Sequence, residues 1–487
     1  MKIPVPNNLR PYNQHQMELF PPNVRSLLAD DDLCLVVDDV VEILDLSCLY
    51  IKVSREGNRP YHPKMMLKVL FYGYAVGMFS SRKIAKALKE NIGFIFLAAW
   101  QTPDFRTISD FRKNNLEALT SLFSQMVLLC RELGMVTLGH VSIDGTKIKA
   151  NASDAASYDQ RRIDREITRW LNRAKEIDEA EDGRFDADQN GDELPEAIRD
   201  QQERIDRLKA LQKRLSQSGR EKINKTDPDA SFMKGRSGIK TSYNAQAAVD
   251  ADNQVIVGAD VTDEAADVEQ LLPMIEQVEQ NLDDHVKECS ADAGYSSGEN
   301  LKALESRKTD GYVPDRTYQG QQRGKEVGAF HKSHFVFNPS SDCYLCPEGE
   351  DLLFSHLQKR KNKEPLRIYR GRHCGQCRHF GICTKSQKGR TLSRHPCEEE
   401  LARMRRKLDT ESGRLTYGQR KHVVEPPFGQ IKSIMGFRQF SLRGLTRVTG
   451  EFKLVSIAHN LRKIWLYLKA DGKSLEDLIH KSNYQLC

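Results

Sequence analysis

The chain has 487 residues, of which 39% are hydrophobic, with 74 lysines and arginines against 68 aspartates and glutamates. This length allows about two to four domains, and no apolar run approaches the roughly 18 residues that cross a bilayer. The N-terminal stretch MKIPVPNNLRPYNQHQ lacks the apolar centre of a signal peptide. These features exclude a membrane-spanning protein, and we expect a cytoplasmic one.

Residues 1–135 are predicted to form a helical, DNA-binding domain. Asp30–Asp32 precede the apolar run LCLVVDDVVEIL. Pro63 suits a first helical turn, and the apolar stretch MMLKVLFYGYAVGMF follows it. Thr107 and Asp110 form a capping box for a later helix with apolar residues at helical spacing. Helices of this length and order indicate a compact domain with helix-turn-helix character.

From His140 onward, apolar residues recur with the two-residue spacing that is typical of β-strands. HVSIDGTKIKA alternates as a strand, and SYNAQAAVDADNQVIVGADVT predicts a hairpin that turns at Asp250–Asn253. The helix DEAADVEQLLPMIEQVEQNL, the strand VKECSAD and a helix from Ser297 come next. This order predicts a mixed sheet flanked by helices, which we place within residues 136–470.

Two insertions interrupt this pattern of strands and helices, and a C-terminal tail follows it at residues 471–487. Residues 154–225 are charged, but Ile163, Ile167 and Trp170 recur at alternating steps of four and three. We expect a helical hairpin packed on the main domain, with self-association as the alternative. The second insertion, residues 330–400, is basic and rich in cysteine.

The second insertion contains a strongly basic block. Between Gln358 and Arg390 there are 11 lysines and arginines against one acidic residue, Glu364. Such a block favours a polyanionic partner. The alternative is a solvated basic loop.

Six of the 11 cysteines lie between Cys343 and Cys397. Without a secretory signal, clustered cysteines indicate metal binding rather than a disulfide framework. The cysteines of two C-x2-C pairs would make a tetrahedral zinc site, and these are Cys343, Cys346, Cys374 and Cys377. Other candidate ligands are Cys383, Cys397, His373 and His379. Free or redox-active thiols are the alternative to zinc.

Two aspartates are placed where a structural role alone would be costly. Asp144 interrupts an apolar strand and is followed by Gly145, and Asp292 ends a second apolar strand, two residues before Gly294. A carboxylate inside such a strand is unfavourable unless it is paired or bound to metal. Carboxylates on adjacent strands can face one point, and Mg²⁺ or Mn²⁺ prefers oxygen ligands. Taken singly, each aspartate could instead be a strand-end cap or a turn residue.

The segment YGQRKHVVEPPFGQIK spans Tyr417 to Lys432. Glu425 and Lys432 are seven residues apart, two helical turns, so they share one face of a helix. Prolines belong in a first helical turn. The adjacent Pro426 and Pro427 therefore predict a helix that begins near Glu425, with a break behind it.

These segments resemble the bacterial insertion-sequence transposases that have a DDE catalytic domain. The resemblance extends along most of the chain through HPKMMLKVLFYGYAVG, DFRTISDFR, DGTKIKANAS, SYNAQAAVD, DAGY and VEPPFGQIKSIMGFRQFSLRG. It implies an α+β multidomain protein, in which a helical N-terminal domain is followed by an RNase H-like mixed sheet flanked by helices. The helical-hairpin and cysteine-bearing insertions interrupt that sheet domain.

The resemblance also implies roles for single residues. Asp144, Asp292 and Glu425 would be the catalytic triad that holds Mg²⁺ or Mn²⁺, and Tyr417, Arg420 and Lys432 would be accessory or DNA-contacting residues. In one respect the chain departs from the family signature, because four residues rather than three separate Arg420 from Glu425. This departure leaves the role of Arg420 less well defined than that of Glu425.

We therefore expect a DNA transposase. It would bind the terminal inverted repeats of its element, cut at the ends, join them to target DNA, and act as a homodimer in the synaptic complex. The alternatives are a non-catalytic DNA-binding regulator, an inactive relic of the element, or a nuclease that cuts without joining.

Overall fold

The structure is a computed structural model, and it describes residues 23–51, 60–182, 196–235, 238–322, 324–360 and 363–479. The first described part is helical, as predicted. Its helices are α1 (Leu33–Ile43), α2 (Ser47–Tyr50), α3 (Pro63–Ala75), α4 (Ser81–Glu90), α5 (Ile92–Leu97), α6 (Phe105–Asn114) and α7 (Leu116–Glu132). The predicted domain limits stay predictions, and residues 1–22 and 480–487, at the two ends of the chain, lie outside the described residues.

The predicted capping box of α6 is wrong by one turn. Asp104 is the N-cap, and its side chain accepts a hydrogen bond from the Thr107 backbone N–H at 2.7 Å. An aspartate is as good an N-cap as threonine, and Asp104 directly precedes the first helical residue. Thr107 therefore lies inside the helix.

A mixed sheet follows the helices, which confirms the prediction of a mixed sheet flanked by helices. Its strands are β1 (Val141–Lys149), β4 (Ser231–Gly235), β5 (Gly238–Asp250), β6 (Ile256–Thr262), β7 (Glu288–Ala291) and β8 (Asp310–Tyr312). The order across the sheet is β4-β5-β1-β7-β8, and β6 also pairs with β5. β5 runs antiparallel to β1, whereas β7 is parallel to both β1 and β8. The helices between these strands are α10 (Leu271–Leu282), α11 (Gly298–Arg307) and, after β8, α12 (Arg316–Gln322).

The first insertion forms a separate small layer. It contains α8 (Gln160–Asp182) and α9 (Glu196–Ser218), which pack together above the paired strands β2 (Ser157–Asp159) and β3 (Lys222–Asn224). Its buried residues are Tyr158, Ile163, Leu208, Leu211, Leu215 and Ile223, with Ile167 and Trp170 packed beside them. The predicted apolar stripe therefore joins the two helices.

The second insertion is an antiparallel sheet with its own small core. Its strands are β9 (Val336–Asn338), β10 (Cys343–Leu345), β11 (Asp351–Arg360), β12 (Lys363–Gly371) and β13 (Thr391–Arg394). They lie in the order β13-β12-β11-β10-β9. The core consists of Phe335, Tyr344, Leu352, Tyr369 and Leu392.

The last part of the chain is helical again. It contains α13 (Glu398–Asp409), α14 (Glu411–Gly429), a π-helical turn at Gln430–Ile434, α15 (Leu445–Asp471) and α16 (Leu475–Ile479). α14 packs on β1 and β5, and α15 packs on β6, α3 and α7. Among the described residues, no helix combines the length and the apolar character needed to cross a membrane.

The prediction of a helix that begins near Glu425 is wrong, because α14 runs through Pro426 and Pro427. Pro426 lacks the N–H that would bond to the His422 carbonyl one turn earlier. The Gln254 side chain supplies a donor instead, from Nε2 to the His422 oxygen at 2.8 Å. A neighbouring loop thus satisfies the orphaned carbonyl, and the helix continues through the prolines.

A buried polar cluster joins the N-terminal helices to α15. Glu451 of α15 is fully buried and accepts hydrogen bonds from Tyr74 Oη at 3.1 Å and from the backbone N–H groups of Ser441 and Leu442 at 2.9 and 3.0 Å. Arg112 of α6 donates to Tyr74 Oη at 2.8 Å and lies 3.9 Å from Glu451 Oε1. The helices of both ends of the described chain therefore share one core with the mixed sheet.

Candidate active site

Asp144 and Asp292 lie side by side on two neighbouring parallel strands. The pairing of β1 with β7 includes Ile143 opposite Ala291, and each aspartate is the next residue along its chain. Neighbouring strands are about 4.8 Å apart, so the two carboxylates emerge from the sheet close together. The two aspartates singled out from the sequence are thus brought together at the centre of the mixed sheet.

The surroundings of the aspartate pair disfavour the ionised form of Asp144. The pKa of Asp144 is raised to about 6, first by burial and further by the charge of Asp292, whereas Arg420 lowers it. Asp144 Oδ1 also accepts a hydrogen bond from the Gly145 N–H at 2.8 Å. Since neighbouring carboxylates disfavour each other's ionised form, a cation at this place would be stabilising.

Arg420 and Tyr417 reach the pair from α14. Arg420 Nη1 donates to Asp144 Oδ2 at 3.2 Å, and its side chain is 8% exposed. The pKa of Tyr417 is raised by burial, with Arg420 acting to lower it and Asp292 to raise it. Its ring also packs edge-on against Tyr318, 6.5 Å between centroids. Arg420 is therefore a neighbour of both aspartates, and Tyr417 is a neighbour of Asp292.

Lys432 fixes the end of this helical segment to the same strand. Its Nζ donates to Thr146 Oγ1 and, at 3.1 Å, to the Lys147 carbonyl oxygen. Thr146 lies two residues after Asp144 on β1. Lys432 thus holds the π-helical turn against the strand that carries the first aspartate.

Glu425, the third predicted ligand, lies on α14 five residues after Arg420. Its side chain is exposed, whereas the buried residues nearby on α14 are Arg420, Val423, Val424, Pro427 and Phe428. Five residues along an α-helix turn the side chain by roughly 140°, so Glu425 and Arg420 lie on different faces of α14. Within the described part of the chain, no hydrogen bond or ion pair links Glu425 to Asp144 or Asp292. Its catalytic role stays a prediction.

Asp267, which was not predicted from the sequence, lies beside the pair. Its Oδ1 accepts hydrogen bonds from Asn244 Nδ2 at 2.6 Å, Gln246 Nε2 at 2.9 Å and Lys147 Nζ at 3.3 Å. Its Oδ2 faces Gly294: a Cβ added there would lie 3.3 Å from that oxygen and 2.8 Å from Asp292 Oδ1. Asp267 is thus a third carboxylate close to Asp292.

Two buried polar residues hold this carboxylate in place. Asn244 and Gln246 are fully buried in strand β5, and buried polar side chains need partners. The same cluster explains Gly145, because a Cβ there would lie 2.4 Å from Gln246 Nε2 and 2.8 Å from Asp267 Oδ1. Gly145 therefore allows the cluster to approach β1 directly behind Asp144.

The four cysteines predicted to bind zinc are not all brought together. Cys343 lies in β10, where its Sγ is 3.4 Å from Asp351 Oδ1 and 3.0 Å from Ser341 Oγ. A cavity of about 40 Å³ in the same insertion is lined by other cysteines. These are Cys346, Cys374, Cys377 and Cys383, with His373 and His379 at its edge. The first C-x2-C pair is therefore divided between two environments.

Within the described residues, no group of three or more His, Cys, Asp or Glu side chains has the arrangement of a metal site. The residues around Asp144 nevertheless suit a divalent cation in their chemistry. The paired carboxylates are oxygen donors of the kind that Mg²⁺ prefers, and burial together with the charge of Asp292 raises the pKa of Asp144. Asp144 and Asp292 are the residues that would hold such an ion.

Two family models match the chain. The model "Transposase DDE domain" matches residues 345–465, which include Tyr417, Arg420, Glu425 and Lys432, and the model "Transposase domain (DUF772)" matches residues 22–114. Both models describe transposase domains, in agreement with the family that the sequence motifs resemble. The match to the DDE domain does not extend to Asp144 and Asp292.

The comparisons with individual proteins do not extend the result of the family models. No curated protein matches the chain significantly. Among solved structures, the chain is similar to a piggyBac transposase synaptic complex with hairpin DNA, at 11% identity and a TM-score of 0.33. The likeness covers 93% of this chain and 79% of that one. A TM-score this low does not establish a common fold.

Proposed function

We propose that the protein is a metal-dependent DNA transposase that binds terminal inverted repeats, cleaves DNA at the element's ends and transfers the strands to target DNA. The single observation that carries this proposal is the aspartate pair on β1 and β7 in a chain with transposase family domains. The sheet contains the strand order β6-β5-β1-β7-β8. Of the two neighbours of β1, β5 is antiparallel and β7 is parallel, and this pattern supports an RNase H-like arrangement.

Asp144, Asp292 and Glu425 are the proposed ligands of Mg²⁺ or Mn²⁺. Two such ions, when bound, activate the attacking water or 3′-hydroxyl and stabilise the leaving oxygen. The chain itself supplies two carboxylates fixed on neighbouring strands. Glu425 would add a third from the exposed side of α14, where DNA has access.

The accessory residues are proposed to hold the site in its ionised form. Arg420 donates to Asp144 Oδ2 and lowers the pKa of that carboxyl, which favours the charged state that binds a cation. Tyr417 packs beside Arg420, and Lys432 ties α14 to Thr146. These contacts position α14 along β1.

DNA is the proposed partner of the basic insertion. Exposed lysines and arginines for which the structure describes no ion pair lie on the β11–β12 strands and on the loop after them. They are Lys359, Arg372, Lys385 and Lys388. Phosphate contacts of this kind give affinity without sequence specificity. A homodimer that holds both element ends together is part of the proposal.

A cleavage assay with the DNA that flanks the gene tests the proposal. Wild-type protein should cut duplexes that carry the flanking inverted repeats in Mg²⁺. Asp292→Asn should reduce cleavage at least about 100-fold, because it removes a metal-binding charge, yet bind the same duplex within about twofold, because affinity comes from phosphate contacts. Asp284→Asn, an exposed aspartate before the opposite end of β7, is the matched control and should cut normally.

The alternative is a DNA-binding protein without catalysis, either a regulator or an inactive relic. The exposure of Glu425, on a different face of α14 from Arg420, is the observation that favours it. The same assay separates the two functions, since the alternative predicts specific end binding without Mg²⁺-dependent cleavage by wild-type protein. The Glu425→Gln variant tests whether Glu425 is the third metal ligand. Cleavage by this variant at the wild-type rate would remove Glu425 from the triad.

A further inference from the structure

The cavity in the five-stranded insertion is built around sulfur atoms. It is about 40 Å³ in volume, more than the roughly 10–15 Å³ needed to hold a single water. Its lining brings together Cys346 from the turn after β10, Cys374 and Cys377 from the turn after β12, and Cys383 from the loop before β13. We infer that these four cysteines, and not Cys343, form a structural zinc site.

The four thiols are within electrostatic reach of one another. The pKa of Cys383 is raised first by burial and then, against the opposing effect of Arg390, by Cys374, Cys346 and Cys377. Cys343 is absent from these neighbours. It lies on a paired strand of the sheet, opposite Leu353, and its Sγ is 3.4 Å from a carboxylate, that of Asp351. Cys343 therefore lies in a different environment from the four cysteines that line the cavity.

Backbone N–H groups hold three of these sulfurs in place around the cavity. Arg390 N lies 3.3 Å from Cys374 Sγ, Glu350 N lies 3.4 Å from Cys346 Sγ, and His379 N lies 3.5 Å from Cys377 Sγ. The positions of these sulfurs are therefore fixed by the surrounding turns.

Glycines allow the chain to close tightly around Cys374. A Cβ on Gly371 would lie 2.7 Å from Cys374 Sγ, and Gly389 has a positive φ of 86° with no room for a Cβ beside the Gly371 carbonyl. Gly349 likewise has a positive φ of 85°, and its N–H donates to the Cys346 carbonyl at 2.9 Å. Such turns are needed where the backbone bends sharply around a small centre.

Of the two nearby histidines, His379 is engaged elsewhere and His373 is exposed, so the four cysteines are the ligands we assign. His379 Nε2 lies 3.0 Å from Glu348 Oε1, and its ring packs on Phe330 with 4.9 Å between centroids. His373 is exposed at the start of the turn that carries Cys374. Four thiolates at about 2.3 Å from the ion make an ordinary structural zinc site. The sulfurs surround the cavity without meeting at one point, and each can change its staggered rotamer to close on an ion.

The insertion has a physical need for such a site. Its core contains only five buried side chains, and small cores are usually supplemented by a metal or by disulfides. Zinc at this position would join the turn after β10 to the turn after β12 and to the loop before β13. The exposed Arg372, Lys385 and Lys388 lie in these last two segments. It would therefore fix the shape of the basic surface, independently of the proposed catalytic chemistry.

Metal analysis and thiol labelling of full-length protein test this inference without any variant. Purified protein should contain about one zinc per chain. N-ethylmaleimide labelling followed by mass spectrometry should show Cys346, Cys374, Cys377 and Cys383 protected until a chelator removes the metal, with no chelator-dependent change at Cys343. Protein without zinc, or chelation that exposes Cys343 but not Cys383, would overturn the assignment.

A matched pair of variants then separates the two candidate ligand sets. Cys343→Ser should retain one zinc per chain, whereas Cys383→Ser should lose most of it, and Cys383→His should restore binding because imidazole is also a zinc ligand. Loss of zinc in Cys343→Ser with retention in Cys383→Ser is the contrary result. Because DNA cleavage is not the readout, failure here leaves the proposed transposase function untouched.

Discussion

Arg420 donates a hydrogen bond from Nη1 to Asp144 Oδ2 across 3.2 Å, and this contact links α14 to the central strand of the sheet. Both side chains are largely buried, at 8% and 22% exposure. The arginine opposes the increase in the pKa of Asp144 that burial and Asp292 cause. The contact therefore sets both the position of α14 and the charge of the first aspartate.

Asp144→Asn should abolish the response of the protein to Mg²⁺. Bound metal stabilises the folded state by about 2.7 kcal/mol at a free concentration one hundred times Kd, so Mg²⁺ should raise the thermal unfolding temperature of wild-type protein but not of the variant. Cleavage should fall at least about 100-fold because a metal ligand is lost. An equal Mg²⁺ shift in both proteins would show that Asp144 does not bind the ion.

Arg420→Gln should move the acid limb of cleavage to higher pH. Arg420 lowers the pKa of Asp144, which stands at about 6, so its removal raises that pKa further. Protonated Asp144 cannot bind metal, and the loss of activity on acidification then begins at a higher pH. Cleavage rates measured from pH 5 to 9, at Mg²⁺ concentrations below saturation, give the shift.

The control for this experiment keeps the charge of the arginine. Arg420→Lys should shift the acid limb less than Arg420→Gln, because a lysine preserves the Coulombic effect while losing the guanidinium geometry. If both variants lose activity equally at every pH, Arg420 acts by positioning alone.

Gly145→Ala should destabilise the protein and inactivate it. A Cβ at this position would lie 2.4 Å from Gln246 Nε2 and 2.8 Å from Asp267 Oδ1, and the resulting overpacking of a core costs about 1–3 kcal/mol. Gly418→Ala is the matched control in α14, where a Cβ meets nothing within 4 Å. It should stabilise the helix by about 0.5–1 kcal/mol. Chemical denaturation measures both, and a Gly145→Ala protein as stable as wild type would contradict the packing described here.

His459 should make the protein sensitive to acid. The pKa of this buried side chain is lowered to about 4 from an ordinary 6.5, with burial as the main cause. Between pH 6.5 and 4 the unfolded chain therefore binds a proton that the native chain does not. Stability is lost as the pH falls through this range, by about 3 kcal/mol at 1.36 kcal/mol per pKa unit.

The measurement is the free energy of unfolding from pH 4 to 8 for wild type and His459→Gln. Glutamine can still donate to the Gln254 carbonyl, which now lies 3.0 Å from His459 Nε2, but it does not titrate. The difference between the two proteins should therefore vary with pH below 6.5. A difference in the free energy of unfolding that does not vary with pH would contradict the prediction.

The sequence alone was sufficient to predict the two aspartates, because a charged residue inside an apolar strand is easily recognised in a sequence. Asp144 and Asp292 could be singled out in this way, but their side-by-side placement depends on the pairing of β1 with β7. Asp267 could not be predicted, because it lies in a polar loop before α10. Its importance comes from the buried amides of Asn244 and Gln246, which contact it only in the folded chain.

Two other features depend on contacts between distant segments. Spacing cannot show which of Cys343 and Cys383 faces the cavity, since this is decided by the strand pairing of β10. The course of α14 through Pro426 depends on Gln254, 168 residues from the His422 carbonyl to which it donates. Local rules predict a helix break at such prolines, and a remote amide satisfies one of the carbonyls that the prolines leave without a helical partner.

The cluster around Glu451 has a consequence for the order in which the protein folds during synthesis. Tyr74 and Glu451 are 377 residues apart in the chain, and chains grow at about 5–20 residues per second. The buried Arg112 and the apolar faces of α3 and α7 must therefore wait on the ribosome for tens of seconds before α15 arrives to cover them. The N-terminal helices cannot complete their core as an early, independent unit. A truncated translation product would expose that surface, which makes it a ready substrate for chaperones and proteases.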